Sequence, residues 1–347
     1  MTKLQTGLYL SRDIQVCDFM WEMAMRVIEA KTFSGYGGLQ QTELPKPRPV
    51  KDRVLVRVTA AGVTPLDHTI LSGGHPRAKA PLVLGNEGAG VIDDAGESGF
   101  AVGSRVMFTG PYGVGENGAW QDWLLVRPEH LALVPDAIDD VVAASLPVAY
   151  LTAQVTLTLA GFKPGMTVLA PGIGGSVGNA TYQLARAQSA GKVISTAGSA
   201  AKAAKAHALG FEDVVDLTAE GLAEGVRRIT AGKGVDIVID SIGGTVTSEA
   251  LSSLGLGGVL ITLGYSAGRK TTIDVTDLIW KLARMAGFSL FAQSPTAIAA
   301  AWRDIIPLIV SGSVKPIVER VYPFGEAGEA LRHLIEDRPF GKVVLAG

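Results

Sequence analysis

The stretch 167-TVLAPGIGGSVGNATYQLARAQSAGKVISTAG-198 decides the architecture. Its first four residues are an apolar, strand-like run. Glycines follow at Gly172, Gly174, Gly175 and Gly178, and then Val177, Ala180, Leu184 and Ala187 recur at steps of three and four, the period of a helix buried on one face. Gly191 reads as the helix stop and 192–197 as a second strand. Strand, glycine turn, helix and strand at this length make the βαβ unit that binds dinucleotides. One glycine permits the tight turn, one lets backbone approach a pyrophosphate, and one lets helix and strand pack closely. Two registers fit, Gly172/Gly175/Gly178 or Gly174 with Gly175 and Gly178. In either, the loop and the first helical turn, Ser176 and Val177 included, present backbone N–H groups and the positive end of the helix dipole to an anion.

The second strand bears on which dinucleotide. An NAD site places a carboxylate about 20 residues beyond the glycines to hold the ribose hydroxyls. No Asp or Glu occurs from Asn179 through Phe211, and the position falls on Ala197 or Gly198, with Lys202 and Lys205 just beyond. A missing acid beside cations suits a 2′-phosphate, so NADPH is the expected cofactor.

Working outward, residues 25–134 carry short apolar runs separated by glycine and proline, at 53–60, 82–84, 88–92, 105–108 and 120–126, which predict a compact, partly closed β-barrel. From 138 the pattern turns helical and then alternates, with helices expected at 200–209, 222–230 and 248–253 and strands at 214–215, 235–240 and 259–263. That alternation predicts a doubly wound parallel sheet. Helices at 297–310 and 327–336 and a strand at 342–346 are expected to return to the first domain. The apolar stretch 141–160 carries too many polar groups for a membrane span and reads as one buried helix.

Composition sets bounds. A chain of 347 residues suggests two domains, and 47% hydrophobic residues allow a sizeable core. A net charge of −2 argues against nucleic-acid or membrane partners. The single cysteine, Cys17, precludes an internal disulfide framework and suits a reducing cytoplasm. Residues 1–24 lack the basic segment and apolar core of a signal peptide and read as an extension.

The order of motifs resembles the medium-chain dehydrogenase/reductase superfamily, and within it the zinc-free quinone oxidoreductase (zeta-crystallin-like) branch. The resemblance runs from about residue 25 to 347. It rests on AAGVTPLD (60–67), LGNEGAGV (84–91), VGSRV (102–106), SLPVAYLTA (145–153), the glycine loop, VDIVIDSIGG (235–244) and GKVVL (341–345). It implies a GroES-like domain (25–147 and 291–347) interrupted by a Rossmann NADPH-binding domain (148–290), with the active site in the cleft between them. Zinc relatives place catalytic ligands at positions matching Thr64, Asn86 and Val148, none of which offers a thiolate or imidazole. Metal-free reduction of quinones or similar activated carbonyl compounds is therefore expected, because such acceptors need no Lewis acid. An enoyl or enone reductase and a non-catalytic NADPH-binding protein are the alternatives.

The resemblance also assigns residues. Thr64 and Thr152 match positions facing the nicotinamide, and Gly264 and Tyr265 the loop that holds its amide. Gly198, Lys202 and Arg338 match the 2′-phosphate contacts. Tyrosines that line the substrate pocket in some relatives fall here on Thr69 and His75, so no tyrosine proton donor carries over. His75 is either the replacement donor or a surface-loop residue, and Tyr150 either lines the cleft or fills the core. Both stand with Thr64 as candidate catalytic residues. Relatives of this kind are often dimers or tetramers, and the strand at 259–263 is a candidate edge for pairing two copies.

Overall fold

The computed structural model describes residues 24–347. The expected extension, save its last residue, and Cys17 lie outside the described residues.

Strands β1 (Ala24–Ala30), β2 (Leu39–Pro45) and β3 (Val54–Val63) lead into helix α1 (Pro65–Leu71). Next come β4 (Leu82–Val83), β5 (Glu87–Asp94), β6 (Arg105–Thr109), β7 (Trp123–Val126) and β8 (Leu131–Leu133), then α2 (Asp140–Ser145) and α3 (Pro147–Leu159). The alternating half reads β9 (Thr167–Ala170), α4 (Ser176–Ala187), β10 (Lys192–Ala197), α5 (Ala200–Ala208), β11 (Asp213–Asp216), α6 (Leu222–Ile229), β12 (Val235–Asp240), α7 (Thr245–Ser252), β13 (Leu254–Thr262), α8 (Val275–Lys281) and β14 (Arg284–Gly287). The tail holds α9 (Pro295–Val310), β15 (Val318–Tyr322), α10 (Ala327–Arg332), a π-helical turn His333–Asp337, and β16 (Lys342–Ala346).

The alternating half is a six-stranded parallel sheet in the order β11-β10-β9-β12-β13-β14. Numbered within the unit this is 3-2-1-4-5-6, the doubly wound order whose switch point lies between β9 and β12. Parallel strands covered on both faces are continuously apolar, and Val168, Leu169, Val193, Ile194, Val238 and Leu260 are all fully buried. The first part is a GroES-like β-rich domain, with a seven-stranded sheet that includes β3, β5, β6 and β7 and a three-stranded sheet β2-β1-β4. Backbone bonds from Ile28 N to Trp120 O (2.8 Å) and from Asp122 N to Arg26 O (3.0 Å) join the two. The end of the tail returns to this domain, since β16 pairs antiparallel with β3 and parallel with β15, but α9, expected to return with it, packs on α3 and α4 instead.

Some details depart from the sequence reading. The stretch 141–160 is two helices, because Pro147 has no N–H and begins a new helix. Helix α4 ends before Gly191, and Ser189 takes the left-handed conformation (φ 66°). Strand β13 begins at Leu254 and is flanked on both sides, so β14 is the sheet edge rather than 259–263. Strands β2, β8, β14 and β15 were not anticipated. No helix among the described residues is long and apolar enough to cross a membrane.

Candidate functional site

Gly172 opens the turn after β9 at φ 80°, and a Cβ there would lie 2.6 Å from Ile242 Cδ1, on the loop after β12. A Cβ on Gly178 would strike the Gly172 carbonyl oxygen. These two glycines therefore build the turn and seat α4 against it. Gly174 and Gly175 are different: a Cβ on Gly174 would make ordinary contact with Lys202 and Phe340 at 3.5 Å, and one on Gly175 would lie 3.3 Å from the Gly172 oxygen, so neither is shut out as at Gly178. Gly175 N–H closes the turn onto Gly172 O (2.9 Å), and no side chain caps the amides that begin α4. Such a terminus is an anion site, and the cradle fits a dinucleotide pyrophosphate.

Neighbouring strands hold the turn. Thr196 at the end of β10 accepts Gly172 N–H on Oγ1 (3.0 Å) and Ile173 N–H on its carbonyl (2.9 Å). Asp240, fully buried at the end of β12, accepts N–H from Ile242 (2.9 Å) and Gly243 (3.0 Å), and hydroxyls from Thr247 (2.6 Å) and Thr262 (3.2 Å). It fixes the loop at the switch point and ties it to β13. Both residues escaped the sequence reading; a buried acid ending an apolar strand before Ser-Ile-Gly-Gly was the available signal for Asp240.

Beyond β10, Gly198 is exposed with open space on its side-chain face, and Ser199 caps α5 by accepting Lys202 N–H (3.3 Å). Burial and the positive charge of Arg338 together hold the Lys202 ammonium below its ordinary pKa. Arg338 reaches this place because 338–341 lies over the glycine turn: Gly341 N–H donates to Gly174 O (2.9 Å) and Phe340 lies 3.5 Å from where a Gly174 Cβ would be. Lys202 and Arg338 are thus brought together beside the turn.

At the other end of the site Thr64 is buried at the N-terminus of α1. Its N–H and its hydroxyl both donate to Asp67 Oδ2, each at 2.8 Å, while Gly85 N–H donates to Oδ1 (2.9 Å). Burial pushes the Asp67 carboxyl up to about 6 despite these bonds. Since Thr64 gives its proton to Asp67, its oxygen can serve only as an acceptor, and it already caps α1 by accepting Asp67 N–H. Asp67 fixes the loop. Thr152 is buried on α3, and Gly264 follows β13, packed so closely on Ser241 that a Cβ would overlap the Ser241 carbonyl.

The other two catalytic candidates have different settings. His75 sits past the far end of α1, about 10 Å of helix from Thr64, and its Nδ1 accepts Arg77 N–H (3.3 Å). Tyr150 is 3% exposed and fills the core, where burial pushes its phenol up. A tyrosine does reach the α1 wall from the opposite side: Tyr265 OH lies 3.3 Å from Thr69 Oγ1, with the Arg269 guanidinium 5.4 Å from its ring centre. This pairing across 196 residues had no sequence signature.

Glu87 is fully buried; its Oε2 accepts Val148 N–H at the start of α3 (2.7 Å), and its other oxygen pairs with Lys342 of β16. Zinc does not fit here. Thr64, Asn86 and Val148 offer no soft donor, and no cluster of three or more His, Cys, Asp or Glu able to hold a metal exists among the described residues.

A glycine cradle at the switch point of a doubly wound sheet, facing a GroES-like domain, defines a nucleotide-dependent oxidoreductase. Residues 50–136 match the alcohol dehydrogenase GroES-like domain, and 209–345 match a family described as zinc-binding dehydrogenase. The chain is 31% identical over 342 residues to the synaptic vesicle membrane protein VAT-1 homolog of Danio rerio, covering 91% of this chain and 69% of that protein. It is 29% identical over 327 residues to a quinone oxidoreductase of Rattus norvegicus, covering 92% and 97%. A mycobacterial protein solved in complex with NADPH superposes with a TM-score of 0.82 at 30% identity, covering 93% and 100%. The chain belongs to the medium-chain dehydrogenase/reductase superfamily, in its zinc-independent oxidoreductase branch, and is an enzyme that binds NAD(P)H. The zinc in the second family's description has no counterpart in the residues here.

Proposed function

We propose that this enzyme is an NADPH-dependent, metal-free reductase of quinones or related activated carbonyl compounds. The observation that carries the cofactor choice is the juxtaposed Lys202 and Arg338 beside a strand end that lacks any carboxylate. Two cations that repel each other in the free protein gain from a 2′-phosphate between them. The glycine turn and the start of α4 hold the pyrophosphate, and Thr64, Thr152, Gly264 and Tyr265 border the nicotinamide. When bound, NADPH supplies the hydride to an acceptor already electron-poor. The quinone oxidoreductase relative supports the acceptor class.

Lys202→Ala is expected to weaken NADPH about 10- to 100-fold, the range of a charge-assisted contact worth about 1.5–3 kcal/mol, and NADH by less than about 3-fold. Fluorescence titration checks this, and equal losses would refute the 2′-phosphate assignment. An acceptor screen with both cofactors tests the reaction. Quinone-stimulated NADPH oxidation is the expected result. Turnover only with an enone thioester would move the assignment to an enoyl reductase.

We also propose that two copies pair through β14. All four of its residues are exposed at the sheet edge, beside Ile279 (62% exposed), Trp280 (76%) and Leu282 (69%). An open edge next to so large an apolar patch suits a second copy of the chain. Trp280→Glu is expected to shift a dimer toward monomer in analytical ultracentrifugation; an unchanged sedimentation coefficient would count against this face.

A further inference from the structure

A cavity of about 50 Å³ separates the end of β6 from the segment that follows β14. That is room for a few waters or the carbonyl edge of a planar ligand. Its walls include Pro111, Leu290, Phe291 and Ile298, with Thr109 and His130 among the polar groups. It lies on the nucleotide side of the fold by topology. Phe288 N–H donates to Thr262 O (3.0 Å), so Leu290 leaves the sheet beside the end of β13, just before Gly264 and Tyr265.

Resting on the reductase reading above, we propose that His130 orients the acceptor by donating a hydrogen bond from Nε2 to its carbonyl oxygen, with Tyr112 as the positioning residue that sets the tautomer. Tyr112 is assigned as the donor to His130 Nδ1, which the tautomer measurement below tests. Arg127 N–H donates to the Tyr112 oxygen (2.9 Å), so the Tyr112 hydrogen is free for His130 Nδ1, also at 2.9 Å. An Nδ1 that accepts leaves the hydrogen of a neutral imidazole on Nε2. Burial disfavours the charged ring, and the rings of Tyr112 and His130 meet edge to face at 5.5 Å. Gly110 is the one residue type that fits there, because a Cβ would overlap the imidazole.

Two other polar side chains of the wall are occupied. Thr109 donates to Asn86 O (2.8 Å), and the Gln293 amide donates to Ser289 O (2.9 Å). Among the charges that face His130, Glu116 is paired with both Arg53 and Arg127 at 3.1 Å, and Glu129 adds a negative charge at the cavity wall. An apolar slot with one fixed donor and a local carboxylate selects a neutral, flat carbonyl compound over an anionic one.

The test uses the full-length enzyme with NADPH and a panel of neutral and carboxylated quinones. His130→Leu is expected to lower kcat/KM for neutral quinones about 10- to 100-fold while NADPH affinity stays within 2-fold. His130→Gln, which keeps a donor, should recover part of the loss. Histidine nitrogen shifts in NMR should report an Nε2–H tautomer for His130 in the wild type and a mixture in Tyr112→Phe. Unchanged kcat/KM in a folded His130→Leu enzyme would overturn the proposal. If that variant does not fold, an Nδ1–H tautomer in the wild type would overturn it instead. A wild-type enzyme that binds NADPH yet reduces no quinone refutes the underlying reading, a different outcome from either.

Discussion

Gly174→Asp is expected to abolish useful cofactor binding, raising Kd for NADPH by at least about 100-fold, or about 2.7 kcal/mol, while the protein keeps its fold. The second half of this expectation follows from the backbone. Gly174 is not among the glycines with positive φ, and a Cβ there would meet Lys202 and Phe340 at 3.5 Å, ordinary contact. The first half follows from where that side chain goes. With the pyrophosphate placed as proposed, it sets a carboxylate beside Lys202 and near the α4 terminus, where it competes with the phosphates for both. Gly178→Val is the contrasting variant: its Cβ would collide with the Gly172 carbonyl, so it loses stability along with binding. Titration of both variants with NADPH, alongside thermal melts, separates the effects. A Gly174→Asp protein that binds NADPH within 5-fold of wild type would mean the cofactor lies elsewhere.

What was legible in the sequence was what local chemistry dictates. Strands β9 and β10 fall on 167–170 and 192–197 as read, since parallel strands buried on both faces need unbroken apolar runs. The return of the last strand was also legible, because an alternating unit had already supplied its sheet, but the helix before it, α9, stays with α3 and α4. Boundaries went wrong where one residue's backbone chemistry overrode periodicity, as at Pro147 and Ser189. Strand β2, LQQTELP, was missed because its exposed and half-buried positions follow no clean alternation. The site was harder to read. Arg338 entered only through a resemblance, since nothing local says that 338–341 covers a turn so much earlier in the chain. The Tyr112–His130 and Thr69–Tyr265 pairs depend on separate elements meeting in space. His75 drew attention ahead of His130 because it matches a pocket tyrosine of relatives, whereas His130 matches no such position.

Lys342→Met is expected to cost about 3–5 kcal/mol of folding free energy, the range for breaking a buried ion pair by removing one partner. Lys342 is 4% exposed and pairs with Glu87, which is fully buried, and Gly62 makes the room because a Cβ there would overlap the Glu87 carboxylate. Removing the lysine strands the glutamate as an uncompensated buried charge, which is far worse than never having had the pair. The Lys342 charge also favours the ionised form of Asp67, so its loss disfavours a second carboxylate at the base of α1. Glu87→Gln combined with Lys342→Met should recover a good part of the loss, since a neutral amide can still accept Val148 N–H. Equilibrium unfolding in urea on the two single variants and the double variant gives the coupling. A Lys342→Met protein within 1 kcal/mol of wild type would show that the pair is dispensable. The location gives the pair a functional consequence. Glu87 is bonded to the first turn of α3, the helix that carries Thr152, and Lys342 begins the strand that follows the loop over the glycine turn. Glu87 therefore ties together the two segments that the proposed function sets beside the cofactor, so the double variant should recover stability more fully than it recovers NADPH affinity.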